Sequence, residues 1–308
     1  MHKYVMRRLL LLIPVILGAT FLVFTIMHFT PGDAAQLILG ERAPAEEVEA
    51  LREEMGLNDS LPVQYIRYIS KAVQGDFGRS YFSNRSVFKE VFSRFPATLK
   101  LTAAAMILAV VIGIPIGIIS ATKQYTLTDS VTMILALIGV SMPVFWLGLM
   151  LILVFSVNLG ILPSSGSETL KHLILPAFSL GVGSMAIITR MTRSSMLEVV
   201  RQDYIRTARS KGVAERKVIN KHALKNALIP VVTVVGLQFG SLLGGAVLTE
   251  SVFSWPGVGR LMVDSIKKKD TPMVLASVIF ISVTFSFVNL FVDILYAYID
   301  PRIKSQYR

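Results

Sequence analysis

The 308 residues contain no cysteine, which excludes disulfides and thiolate metal sites. Of them 53% are hydrophobic and only 17% charged, with a mean hydropathy of +0.61, whereas an ordinary soluble domain is about a quarter charged. With so apolar a chain, the formal charge of +11 points to basic residues at the cytoplasmic ends of membrane helices and not to nucleic acid.

At the N-terminus, Lys3, Arg7 and Arg8 precede an apolar run over residues 9–29. A signal-peptide core is shorter, roughly 7–15 residues, and ends at small residues. This run ends in His28-Phe29-Thr30-Pro31, so it is expected to remain as an anchor. Five more stretches approach the roughly 20 residues that cross a bilayer core: 101–121, 131–156, 172–191, 228–249 and 274–297. Each is expected to be helical, because lipid offers no partner to an unpaired backbone group. The expected fold is all-α: a polytopic membrane protein of six transmembrane helices forming a single transmembrane domain over residues 1–308. Pro14, Pro115, Pro143 and Pro176 fall within these spans. The Ser141-Met142-Pro143 step is the candidate gate or kink, with a kink serving packing alone as the other reading.

Orientation follows from Lys and Arg in the connections. With both termini inside, the cytoplasmic segments hold 16 basic residues in 63 positions, and the outside segments hold 13 in 106. The N-in, C-in topology is the better one. The long extracytoplasmic loop, 30–98, carries helical periodicity at Val48, Leu51 and Met55, again at Tyr65, Ile66, Ile69, Ala72 and Val73, and at Val87, Phe88, Val91, Phe92 and Phe95. Small helices capping the outer mouth explain it; helices lying on the bilayer suit the last set, which runs into the second span.

The cytoplasmic loop 193–227 is the most informative segment. A helix over 203–211 precedes a break at Gly212, and a second helix leads into the membrane. Glycine suits the left-handed residue that ends a helix. Ile205, Ala208 and Arg209 share one face, and Ala208 is small enough to let another surface approach. Such a basic elbow could insert into a groove of a cytoplasmic partner, or merely anchor the bundle by its charge.

In the fifth span Gly236, Gly240 and Gly244 recur every fourth residue, a small-residue stripe for packing inside the bundle or for a seam with a partner helix. Trp255-Pro256-Gly257 then forms a capping or re-entrant turn, a second candidate gate. Asp293 lies within the sixth span near its cytoplasmic end, where it reaches the interface or acts in coupling. His28, His172 and His222 are scattered singly, so no metal site is assigned.

The loop resembles the coupling loop of binding-protein-dependent ATP-binding-cassette permeases. Their pattern is Glu-Ala-Ala, three residues, then Gly; Arg206-Thr207-Ala208 stands at the triplet and Gly212 at the glycine. Lys211-Gly212 and Asn226-Ala-Leu-Ile-Pro230 are similar to the dipeptide, oligopeptide and nickel branch. So are Pro31-Gly32-Asp33, the run from Gly75 to Tyr81, Leu162-Pro163-Ser164-Ser165-Gly166, the run from Glu250 to Arg260, and Asp300-Pro301-Arg302. The long outer loop resembles that of the first of the two paired permeases.

The resemblance implies a permease subunit that pairs with a second permease in a bacterial or archaeal cytoplasmic membrane and receives substrate from an extracytoplasmic binding protein. Two partner ATPases, which bind ATP and Mg, dock at Tyr204, Ile205, Arg206, Thr207, Ala208, Arg209, Lys211, Gly212 and Val213, with Ala208 and Gly212 at closest approach. Peptides are the expected cargo; nickel, glutathione or another small solute is the alternative, and a self-sufficient secondary transporter a further one. The chain has no phosphate-loop, His-Glu-x-x-His or Gly-x-Ser-x-Gly motif, so no catalytic, cofactor-binding or metal residue is assigned to it.

Overall fold

A computed structural model describes residues 2–40 and 42–299. The helices are α1 (His2–Phe29), α2 (Ala34–Leu39), α3 (Ala45–Glu54), α4 (Leu61–Val73), α5 (Val87–Thr122), α6 (Leu127–Ser141), α7 (Val144–Leu151), α8 (Lys171–Val200), α9 (Asp203–Ser210), α10 (Glu215–Lys217), α11 (Leu224–Val252), α12 (Val258–Lys267) and α13 (Thr271–Ile299). Ile152–Asn158 and Val218–Ala223 are π-helical. The described residues contain no sheet, only an isolated antiparallel bridge between Arg79 and Ser86. Asp300-Pro301-Arg302 and most of the C-terminal basic segment lie outside the described residues.

Among the described residues five helical stretches are long and apolar enough to cross a membrane, and counting α6 with the helix after it as one span makes six. That pair is not a straight rod: it is bent by 105° at the break, as in a broken span or a re-entrant loop. Pro143 clashes with a helical residue before it and supplies no N–H. Met142 and Pro143 are accordingly extended, at ψ 126 and 129. Pro14, Pro115 and Pro176 sit inside continuous helices, so proline alone does not decide where a span breaks. Two spans are also longer than hydropathy indicates. The periodic segment that begins at Val87 is the first part of α5, a helix of 36 residues, and α8 continues to Val200.

The chain divides into two compact units. The bundle unit comprises Leu99–Trp255 with residues 287–299. Here α8 is the central helix, packed against α6, α7 and α11. Small residues set its approach to α5. A Cβ added to Gly181 would lie 2.7 Å from the Ala105 carbonyl oxygen, and one on Gly117 the same distance from that of Thr189. Without side chains there, backbones meet and dispersion contacts replace the hydrophobic drive that lipid does not supply.

The N-terminal unit comprises His2–Thr98 and Pro256–Ser286. Here α4 lies against α1: the Tyr65 hydroxyl donates to the Leu17 carbonyl at 2.8 Å, and its ring is 5.3 Å from that of Phe21. Val87, Val91, Val258, Met273 and Ala276 form a buried cluster edged by Phe77, Phe95 and Phe280. Two charged side chains are buried just before α13, Lys269 at 7% and Asp270 at 3% exposure. Lys269 Nζ donates to the Met27 carbonyl at 3.0 Å and to that of Thr30, satisfying acceptors at the C-terminal end of α1. Asp270 accepts from the Ser80 hydroxyl and, at 3.3 Å, from the Tyr81 amide.

Candidate coupling site

The elbow is α9 and the turn after it. Ile205 is fully buried in a cluster with Ala121 of α5, Met196 of α8, the π-helical Val218, Ile219 and Ala223, and Ala227 of α11. Ile205 thus belongs to one buried cluster with residues from the ends of three long helices. Ala208 and Val213 pack against the same cluster. The small size of Ala208 therefore lets α9 lie close to its own bundle, and the residue stays half-buried.

The helix ends as the glycine predicts. Gly212 has φ +73, its N–H donates to the Arg209 carbonyl at 2.9 Å, and the Val213 N–H donates to the Ala208 carbonyl at 3.3 Å. These two bonds are the Schellman pair, completed by the apolar contact of the residue after the glycine. A Cβ at Gly212 would meet nothing within 4 Å, so the position demands glycine for its backbone and not for space.

Two side-chain links fix the elbow to the helix that follows. Asn226 Nδ2 donates to the Tyr204 hydroxyl oxygen at 2.7 Å, tying α9 to α11. Arg209 makes a two-pronged contact to Glu215, at 3.0 and 2.7 Å. Hydrogen bonding to that carboxylate holds the Arg209 guanidinium above its ordinary value, so it stays cationic. Tyr204, Arg206, Thr207, Ser210 and Lys211 are exposed and form the surface that a partner would meet.

A second feature of this end carries no signal in the sequence. Asp129, buried at the start of α6, accepts two hydrogen bonds from Arg193 of α8, each at 2.7 Å, and another from the Ser120 hydroxyl of α5. The partners are 64 residues apart, and Arg193 is indistinguishable in sequence from the other basic residues of its loop. The pair clamps α5, α6 and α8 immediately beside the elbow cluster.

The remaining candidates are dispersed. Gly236 packs against Val292 of α13, and Gly240 is buried, whereas Gly244 is exposed with open space around it. The stripe is thus partly internal packing and partly free surface. Pro143 is the N-cap of α7. Trp255 is buried with Lys100 Nζ 5.8 Å from its ring centroid, a cation–π contact, while Gly257 is buried and Pro256 half-buried. Asp293 is half-buried. Among the described residues no three His, Cys, Asp or Glu side chains converge as metal ligands.

Comparison with known proteins gives a consistent picture. Residues 113–305 match the family described as binding-protein-dependent transport system inner membrane component, and residues 1–102 match its N-terminal region. The chain is 48% identical to the dipeptide transport system permease protein DppB of Alkalihalophilus pseudofirmus, over 99% of this chain and all of that one. It is also 48% identical to the glutathione transport system permease protein GsiC of Escherichia coli K12, over 99% of each. Among solved structures, inward-facing conformations of the MetNI methionine ABC transporter align with TM-score 0.59 at 19% identity. That alignment covers 69% of this chain and 97% of the other, a likeness of fold.

Proposed function

The chain belongs to the family of inner-membrane components of binding-protein-dependent transport systems, and from that premise we propose that it is a permease subunit of an ATP-driven importer of short peptides. The permease has both termini in the cytoplasm of a bacterial cell and spans the cytoplasmic membrane six times as one domain, residues 1–308. A second permease completes the path. Two ATPase subunits carry ATP and Mg, and an extracytoplasmic binding protein delivers the cargo. The peptide assignment follows the 48% identical relatives, which are named for dipeptide and for glutathione, itself a tripeptide.

The observation that carries this reading is the construction of α9. Its exposed face is polar and basic, while its buried face is a single isoleucine set among α5, α8 and α11. An ATPase that grips Tyr204, Arg206, Thr207 and Lys211 therefore holds a handle on three helix ends, with Gly212 shaping the turn. Closing of the ATPases displaces α9, and the Ile205 cluster and the Tyr204–Asn226 bond carry that displacement to the base of α11. The Asp129–Arg193 pair carries it to α6. The third span, broken at Pro143, then changes its angle and the access of the path.

Purification of the tagged chain from membranes tests the reading. A second permease and two ATPases are expected to co-purify, and Arg206→Glu is expected to abolish peptide-stimulated ATP hydrolysis while the second permease is still recovered. Unchanged stimulation in that variant would remove α9 from the coupling route. Recovery of this chain alone, transporting without ATP, would overturn the importer class.

A further inference from the structure

The N-terminal unit holds a cavity of about 310 Å³ that the coupling mechanism does not use. It lies between the end of α3, one face of α4, the loop 76–81 and the start of α13. Such a volume falls at the small end of the roughly 300–1,000 Å³ usual for ligand pockets.

Its walls are chemically divided. Arg67 and Lys71, one turn apart on α4, and Arg79 of the facing loop supply cationic groups. Arg67 is already paired with Asp59. Among the described residues Lys71 and Arg79 have no carboxylate partner; Arg79 donates only to the Asn84 carbonyl, at 3.3 Å. Glu54 lines the same cavity and likewise has no cationic partner among the described residues. Phe24, Phe77 and Leu275 give the space an apolar wall, and desolvation holds the half-buried Tyr81 phenol's pKa up to about 12, so it stays a neutral donor.

We propose that this cavity binds a short peptide in its zwitterionic form, with the terminal carboxylate at Lys71 and Arg79 and the ammonium toward Glu54. Charge-assisted contacts to a carboxylate satisfy both open cations, and arginine presents its donors in the fork that a carboxylate matches. A multiply charged anion such as a phosphate ester fits less well, because Glu54 and Asp76 would repel it. An adjoining cavity of about 330 Å³ shares Phe24, Leu57, Gln64 and Thr271 as its wall, which leaves space beside the first site for a longer ligand. The site rests on the reading of peptides as cargo and adds a place where the permease itself holds them.

The test is equilibrium binding of radiolabelled trialanine to the purified permease–ATPase complex in nanodiscs, without the binding protein. Saturable binding is expected, weakened at least about tenfold when the terminal carboxylate is replaced by an amide, since one charged contact is worth that factor or more. The double substitution Lys71→Gln with Arg79→Gln is expected to weaken trialanine by a similar factor. No saturable binding, equal binding of acid and amide, or full binding by the double variant would each overturn the proposal. ATP-driven uptake of trialanine, measured with the binding protein in the same preparation, reports separately on the cargo. Uptake without binding removes this site and leaves the importer reading standing.

Discussion

The elbow of the bundle unit and the junction before α13 in the N-terminal unit hold their segments by opposite means. In the elbow one apolar side chain, Ile205, is buried among apolar neighbours, and nearly every polar group is exposed. At the junction Lys269 and Asp270 are buried, tying the end of α1 and the loop at Ser80 and Tyr81 to the start of α13. Apolar burial is non-directional and tolerates small shifts, which suits a helix that is pushed. Buried charges are held only while their hydrogen bonds stay intact, which suits a junction that keeps one geometry.

The sharpest way to break the comparison is to remove its apolar side. Ile205→Ala is expected to cost about 2–5 kcal/mol through lost burial and the cavity left behind. The measurement is thermal unfolding in detergent, together with loss of peptide-stimulated ATP hydrolysis. Stability equal to wild type would mean that α9 is not anchored by this residue. Removing the polar side comes next: Asp270→Ala leaves the Ser80 hydroxyl and the Tyr81 amide without their acceptor, at an expected cost of about 2–3 kcal/mol. Limited proteolysis should then cut the loop 76–86 faster while leaving the elbow as resistant as before. Faster cutting at the elbow instead would show that the two regions are not independently held.

A smaller effect belongs to the turn. Gly212→Val forces a branched side chain into the left-handed region at an expected cost of about 1–2 kcal/mol, with no clash to add to it. Arg209→Ala removes an ion pair whose partners are 38% and 60% exposed, so its expected cost is about 0–1 kcal/mol, less at high salt. A melting curve that separates these two variants by less than their error would equate the turn with a surface contact.

Acidity sharpens the contrast further. Burial raises the Asp270 carboxyl above its ordinary 3.8, against the hydrogen bonds from Ser80 and the Tyr81 amide that pull it down. The folded protein therefore takes up this proton before the unfolded chain does. As pH falls through the raised value toward 3.8, the cost of the buried charge is relieved, and wild type should gain stability relative to Asp270→Asn. Burial lowers Lys269 below 10.5, so its cost is relieved only as pH rises toward that value. Paired melts at neutral and mildly acid pH check the first sign; a gap that stays constant or widens against wild type would contradict it.

The amino-acid sequence by itself determined the helical class and the break after α9 at Gly212, and the structure shows both; its described helices include five of membrane-crossing length, or six with the bent pair. Hydropathy, helical periodicity and glycine's access to positive φ are local properties, so they can be read along a line. Other decisions belong to tertiary structure. Of five prolines within the spans only Pro143 accompanies a broken helix, because Pro14, Pro115, Pro176 and Pro230 are accommodated within continuous ones. Ala208 packs on its own bundle while staying half-exposed, and the glycines of α5 and α8 meet backbone, whereas in the more regular stripe of α11 Gly236 meets only the Val292 side chain and Gly244 nothing. Asp129 finds Arg193 across 64 residues, and Lys269 reaches Met27 across 242. Whether a charge is buried depends on which helix arrives beside it, and that is decided by packing between segments far apart in the chain, where no local pattern records the partner.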